Sequence, residues 1–440
     1  MKASKFSCSV VAIISACLFL AYPPLTHAED LEDIFKLAEE NDPTIRAAVA
    51  TRDSAQEFVN ISRGEFLPQI RLGAEYLDID TTNADNNTTA LNDGAGTVYS
   101  LNLVQPIYDA RNFSQHRLNK NFAQQADADF KIAQQDQIMR TATQYFRVLG
   151  AMDNLEFSRA EMQSNERQLE QIKQRFDVGL VAITDVHEAQ ARYDLSRSQF
   201  IEAENILDNE VEALRKITGR YHKQLAPLRE KTPLEPPDPN DIEHWTNLAL
   251  QQNPALVSSR FFVEQAQNQV SVQRSDHHPT LELAARYAHA DEDLQGEYDR
   301  TTVGINFSMN LFAGGSISAG VRQAQQELTR AKQNLESASR DTQEAVRRSF
   351  LGVKSAISQV SALRQAVISS QSRLKATEAG FDVGTRTTVD VLNARSELFD
   401  SERLYARARY DYILQTMSLR QAAGMLETQD IAAVNNLLRK

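Results

Sequence analysis

Only two cysteines occur in the 440 residues, Cys8 and Cys17. Both fall in a leader: Lys2 and Lys5, an apolar run from Val10 to Tyr22, then "LTHAED" with Thr26 and Ala28 at the small-residue positions of a signal-peptidase site. Cleavage is expected after Ala28, so residues 1–28 are assigned to a signal peptide. The rival lipoprotein signal, "ISAC" before Leu18, is disfavoured because the apolar run continues beyond Cys17. The run is also shorter than the ~20 apolar residues of a membrane anchor. The mature chain therefore has no thiol, disulfide or cysteine metal site, which fits a bacterial envelope. Positive charge is in short supply as well. Lys and Arg number 47 against 59 Asp and Glu, for a net charge of −12 that becomes −14 without the leader. Nucleic acid is a poor partner for such a chain. No other stretch is apolar enough for a transmembrane helix, so a membrane crossing would have to be made by a β-barrel.

Glycine and proline are sparse, 16 and 12, while Gln, Ala, Ser, Glu and Arg dominate long tracts. That composition belongs to long helices, although the length of the mature chain would allow two or three compact domains. Signatures of catalysis are missing. No HExxH, phosphate loop or nucleophile elbow occurs, and "FAGGSISAG" is glycine-rich without a lysine. His277 and His278 are adjacent and point apart on any regular element. An enzyme is the least favoured class, and no cofactor is expected.

What is present is a duplication. Pro43, Pro68 and Tyr76 match Pro254, Pro279 and Tyr287 at a shift of 211 residues. Beyond a loop of different length the shift becomes 205, and Phe176, Gly179, Asp185, Leu214 and Gly219 match Phe381, Gly384, Asp390, Leu419 and Gly424. A period this long marks a duplicated domain, not a solenoid unit. The reading is a first structural repeat at 29–225, a proline-rich linker at 226–240, and a second repeat at 241–440.

Each repeat carries a heptad pattern. Thr141, Val148, Leu155, Met162, Leu169 and Phe176 fall seven apart, as do Val346, Val353, Val360, Val367, Leu374 and Phe381. Sustained over five heptads, this is a coiled-coil signal. The helix it predicts from 111 to 176 would be roughly 99 Å long at ~1.5 Å per residue. Segments 185–219 and 41–67, stacked in line, would match it; 389–424 and 252–278 would match 315–381. Between the helices the period changes to two. Ile70, Leu72, Ala74 and Tyr76 alternate with other residues, as do Tyr99, Leu101 and Leu103. So do Leu281, Leu283, Ala285 and Tyr287, and Val303, Ile305, Phe307, Met309 and Leu311. Strands are expected at about 68–80, 97–106, 279–290 and 301–312. An apolar face and a polar face on strands of this length mark a membrane barrel, although an amphipathic soluble sheet shares the pattern. Pro106, and Gly314 with Gly315, are read as bends from strand to helix. Four strands cannot enclose a water-filled lumen, and bare sheet edges cannot face lipid, so three or more chains are expected to share one barrel.

The tip segments "FDVGLVAITDV" and "FDVGTRTTVDVL", with the late "NNL", resemble the TolC family of outer-membrane efflux and type I secretion ducts. The likeness runs from about residue 30 to the end. It implies an α+β membrane protein: a homotrimer sharing a 12-stranded β-barrel, four strands per chain, that continues into a long α-helical coiled-coil barrel. It implies the outer membrane and its lipid, extension into the periplasm, and docking by a periplasmic adaptor and an inner-membrane transporter. The function implied is a passive exit duct for drugs, small molecules or secreted proteins, gated at helix–turn–helix tips 176–185 and 381–390.

Glycine at 179 and 384 permits a tight reversal between antiparallel coils, and Asp185 and Asp390 follow it near a helix start, where negative charge is favourable. Both aspartates have a capping role as the alternative reading. The resemblance implies that Asp390 lines the aperture. The family's second aspartate, three residues on, is Asn393 here, which predicts three carboxylates at the constriction in place of six and weaker cation binding. Arg386 matches the family's latch arginine, with Thr184 and Asp185 as expected partners. Phe381 stands where the family often has tyrosine, so it lacks that hydroxyl. Gly179, Leu180, Gly384 and Thr385 resemble the tip positions that meet the adaptor. His187, two residues from Asp185, is read as a surface histidine over a pH sensor. The rival class is a periplasmic coiled-coil adaptor or structural protein without a pore; it would not need two strand pairs with polar loops. The chain's end at Lys440 is expected to lie in the periplasm.

Overall fold

The computed structural model describes residues 28–79, 94–222, 224–230, 232–292 and 296–439. The leader, apart from Ala28, and most of the loop "NADNNTTALNDGAG" lie outside the described residues. The element order α-α-β-β-α-α occurs twice: α1 (Leu31–Asn41), α2 (Pro43–Gly64), β1 (Gln69–Ile79), β2 (Gly94–Asp109), α3 (Ala110–Asp177), α4 (Ile183–Thr218), then α5 (Ile242–Gln252), α6 (Pro254–Ser275), β3 (Thr280–Glu292), β4 (Gly296–Ser308), α7 (Ser316–Asp382), α8 (Thr388–Ala422), with α9 (Thr428–Asn435) at the end.

Local chemistry sets these boundaries. Asp42 ends α1 and starts α2: its N–H reaches the Ala38 carbonyl at 2.9 Å, and its Oδ1 accepts from the Thr44 amide at 2.9 Å. Pro43 fills the first helical position, where an N–H would be orphaned anyway. Asn253 and Pro254 repeat the arrangement before α6, with Asn253 Oδ1 accepting from the Ala255 amide at 2.9 Å. Asp42 is buried and also meets Arg140 at 2.5 Å. Burial alone would raise its carboxyl, but the Thr44 amide and Arg140 outweigh that and hold it below the usual carboxylate range.

Helix α3 has 68 residues and α7 has 67, each about 100 Å long at ~1.5 Å per residue. One part of α3 packs against α4 and another against α2 and α6, while α7 packs against α8, α6 and α5. The heptad positions are buried at mid-length, at Thr141, Val148, Val346, Val353 and Val360, and open to solvent at Phe176. The main core lies at that mid-length, where α1, α5, α9 and the segment after α4 collect around α3 and α7. Leu31, Ile34, Tyr145, Phe146, Leu214, Trp245, Val346 and Ile431 belong to it. The described residues joining α4 to α5 are non-helical and pack closely: Leu225, Ala226 and Leu228 are buried, and Tyr145 donates to the Ala226 carbonyl at 2.8 Å.

The strands form one antiparallel sheet in the order β1-β2-β3-β4. Register aligns Leu72 with Leu101, Leu101 with Tyr287 and Tyr287 with Thr301. One face therefore carries Ile70, Leu72, Leu101, Leu103, Leu281, Leu283, Val303, Ile305 and Phe307. Leu72, Val303, Ile305 and Phe307 are all more than 60% exposed, so none of the described residues covers that face. Among the described residues β1 and β4 each have a single neighbour, leaving two edges. β4 stops at Ser308, which already pairs with Thr280, the first residue of β3; Met309 and Leu311 therefore lie beyond the ladder. The bend at Pro106 takes the form of a bulge. Pro106 faces Glu282 and Tyr108 faces Leu281, leaving Ile107 unopposed, and β2 runs on to Asp109, which caps α3. In the second half Gly314 and Gly315 turn the chain with φ of 59° and 82°. No helix among the described residues is long and apolar enough to cross a membrane.

Candidate functional site at the helical tips

Both long helices end in the same way. In the first tip the Gly179 amide reaches the Phe176 carbonyl and the Leu180 amide the Arg175 carbonyl, each at 2.8 Å, with Gly179 at φ 76°. In the second the Thr385 amide reaches the Gly380 carbonyl at 2.8 Å, with Gly384 at φ 77°. These left-handed closures satisfy carbonyls that the helix end would otherwise leave unpaired. The return helices start with acidic caps. Asp185 Oδ2 accepts from the Ala182 amide at 3.2 Å. Asp390 makes a full capping box: its Oδ2 accepts from the Thr387 amide and hydroxyl, both at 2.9 Å, while its own amide donates to Thr387 Oγ1 at 3.2 Å. The Thr387 amide and then the Thr387 hydroxyl hold the Asp390 carboxyl below its usual range, with Arg386 adding to the effect.

The turns project Leu180 and Thr385 into solvent beside Val178 and Val383, which are 69% and 75% exposed. The two valines escaped the sequence reading, although both occupy the third place of the repeated "FDVG". His187 is exposed and Thr184 lies on the surface.

Arginines join the two tips. Arg175 of α3 stands over the Phe381 ring at 4.7 Å and reaches Asp382 at 3.4 Å. Arg192 of α4 donates to Asn393 Oδ1 of α8 at 2.7 Å. Arg395 of α8 reaches Glu378 at 2.7 Å and Gln168 of α3 at 3.3 Å. Farther from the tip, Arg403 binds the buried Glu161 at 2.8 Å, and Tyr410 donates to Asp153 at 2.6 Å. Burial pushes the Asp153 and Glu161 carboxyls up, against the opposing pull of Tyr410 and Arg403 respectively. The structure thus brings Phe381 and Asn393 into contact with the first tip. Within one chain it does not bring Arg386 to Thr184 or Asp185. Arg386 instead lies over the last turn of α7, where a Cβ placed on Gly380 would come within 2.7 Å of its Cγ. Arg175, Arg192, Arg395 and Arg403 were not singled out from sequence, because helical arginines read as solvated faces until the facing helix is known. Beside these links a cavity of about 600 Å³ opens between the coils, lined by Gln168, Gln171, Arg175, Glu378, Phe381 and Arg395. Among the described residues no group of His, Cys, Asp and Glu is arranged to hold a metal ion.

A sheet with a bare apolar face, joined to helices about 100 Å long that end in polar, arginine-linked tips, defines the class of outer-membrane channels that extend into the periplasm. The family model described as outer membrane efflux protein matches residues 34–220 and 245–425. The chain belongs to the outer membrane efflux protein family. It is 38% identical over 433 residues to the outer membrane protein TolC of Escherichia coli K12, covering 95% of this chain and 87% of that one. It is 30% identical over 414 residues to the alkaline protease secretion protein AprF of Pseudomonas aeruginosa, covering 92% and 86%. Its fold matches the crystal structure of the Campylobacter jejuni CmeC outer membrane channel with a TM-score of 0.80 at 20% identity, over 93% of this chain and 90% of that one.

Proposed function

We propose that three copies of this chain close a twelve-stranded barrel in the outer membrane and a helical tunnel beneath it, forming the exit duct of an efflux pump or a type I secretion system. The observation that carries this reading is the sheet. Four strands with an uncovered apolar face and two unpaired edges are not a finished structure. Unpaired amides and carbonyls in lipid cost several kcal/mol each, and β1 of one copy against β4 of the next satisfies them. Two copies would give a barrel filled by side chains, whereas three leave a lumen. The two matches of one family model, to 34–220 and 245–425, support a duplicated origin with the 226–240 segment as its joint.

In this reading the tips are the gate. Asp390 faces the aperture as well as capping α8, and Asn393 replaces a second carboxylate. Arg386 reaches Thr184 or Asp185 of a neighbouring subunit, since it finds neither within its own. Gly179, Leu180, Gly384 and Thr385 offer a rim to a periplasmic adaptor, which an inner-membrane transporter joins. The AprF likeness supports secreted protein as cargo and the family description supports small molecules, so the duct reading covers both. A periplasmic coiled-coil protein without a pore would have no use for the apolar sheet face. Insertion into planar bilayers tests the proposal: stable single-channel steps from a heat-sensitive, detergent-stable oligomer are expected. A monomer that never conducts would overturn it.

A further inference from the structure

The sheet's second face carries an ordered pattern of charge. Across the four strands the register aligns Arg71, Asn102, Arg286 and Thr302 in one row, and Gly73, Ser100, Ala288 and Arg300 in the next. Side chains alternate along a strand, so both rows lie on the face opposite Leu72, Leu101, Tyr287 and Thr301. The rows are about 7 Å apart, two residues at ~3.3 Å each. Neither row contains a carboxylate. Among the described side chains the acidic residues of this face sit elsewhere: Glu75 in the row with Val98, Ala290 and Tyr298, and Glu282 opposite Asn306. Glu282 accepts from the Asn306 side chain at 3.1 Å. Arg71 and Glu75 are four residues apart on one strand, about 13 Å, beyond the ~8 Å screening length at physiological salt.

The three arginines are exposed on this face. Arg71 donates to Gln69 Oε1 at 3.1 Å, and Arg300 stands 5.3 Å from the Tyr298 ring, so these contacts leave the cationic charge in place. Guanidinium does not deprotonate in proteins, and the flanking Asn102 and Ser100 add neutral hydrogen-bonding groups. In the trimeric barrel proposed above, the apolar face meets lipid and this face lines the lumen. The two rows then become a continuous belt of nine arginines.

We propose that this belt is an anion-binding, selectivity-setting ring at the exit, suited to cargo that carries several carboxylate, sulfonate or phosphate groups. Arginine rings select anions, and guanidinium pairs bidentately with these groups. The belt rests on the barrel reading and adds to it. The duct would then be acidic at its periplasmic gate, at Asp390, and basic where cargo leaves.

The test uses the full-length channel in a planar bilayer, with inositol hexakisphosphate added on the side of the β1–β2 and β3–β4 connections. Block of the parent current is expected, weaker in 1 M salt, where the screening length falls to about 3 Å. The triple variant Arg71→Gln, Arg286→Gln, Arg300→Gln should raise the half-blocking concentration by about tenfold or more. The corresponding triple lysine variant, which preserves charge but not the bidentate fork, should fall between the parent and the glutamine triple. Should the glutamine triple insert poorly, Arg286→Gln alone should still give a rise of about threefold. Equal block in parent and glutamine variants, or no block of a parent that conducts, overturns the belt. A parent that never conducts overturns the trimeric-channel reading itself, and the belt with it.

Discussion

At the residue scale the tips depend on a few polar contacts in water. Asn393 has two roles to separate: the proposed one at the aperture, in place of a carboxylate, and the observed one as acceptor from Arg192. Asn393→Asp should lower the concentration of a polyvalent cation that halves single-channel current by about tenfold. It should also turn the Arg192 contact into an exposed ion pair, a gain of about 0–1 kcal/mol that makes the resting tip slightly tighter. Equal cation sensitivity in parent and variant would refute the aperture role. Arg386→Ser tests the other side. If Arg386 ties neighbouring subunits, the variant conducts more in a planar bilayer, whereas unchanged conductance leaves the gate to Arg175, Arg192 and Arg395. These arginines show the limit of reading residues singly. The glycine and aspartate of each tip could be placed from local turn chemistry. The partner of Arg192 could not, because it sits 201 positions away on another coil.

At the element scale the long helices are held by an apolar middle and a polar lower seam. Leu214 is fully buried in the middle, and Leu214→Ala should cost about 2–5 kcal/mol in thermal unfolding of the purified protein. The seam responds to pH instead. Burial already raises the Glu161 carboxyl, and Arg403 opposes that rise. Removing the guanidinium with Arg403→Leu leaves a buried carboxylate without its cation, a loss of about 3–5 kcal/mol if it stays ionised. The folded state then favours the protonated form, so the penalty should grow as pH rises through the neutral range and shrink toward pH ~5. A melting-temperature deficit independent of pH would exclude this account. Asp42 behaves with the opposite sign. Its folded carboxyl is lowered, so its contribution is present above the ordinary aspartate value of ~3.9 and is lost as pH falls below it. Asp42→Ala should therefore reduce stability at pH 7, by about 0.5–2 kcal/mol for the cap alone, and the deficit should narrow in acid.

At the scale of the whole molecule, the fold of one chain is incomplete by construction. Its apolar sheet face and two bare edges make the proposed trimer a condition of stability in a membrane, not an addition to it. Sedimentation in mild detergent should give a single species of three chains that survives dilution, and Val303→Arg with Ile305→Arg on the apolar sheet face should impair its assembly at about 2–4 kcal/mol per charge. Much of this could be read before any coordinates. Periods of two and seven and the glycine at 179 and 384 are properties of neighbours in the chain, and they determine which segments are strands, how long the helices run and where they turn. The lateral pairings are of another kind. That Arg175 meets Phe381, that Glu161 is buried against Arg403, and that Arg71, Arg286 and Arg300 share two rows of one sheet depends on the rotation of two coils about each other and on the register of four strands. Those degrees of freedom are set by packing summed over the whole interface, and only the tertiary structure decided them.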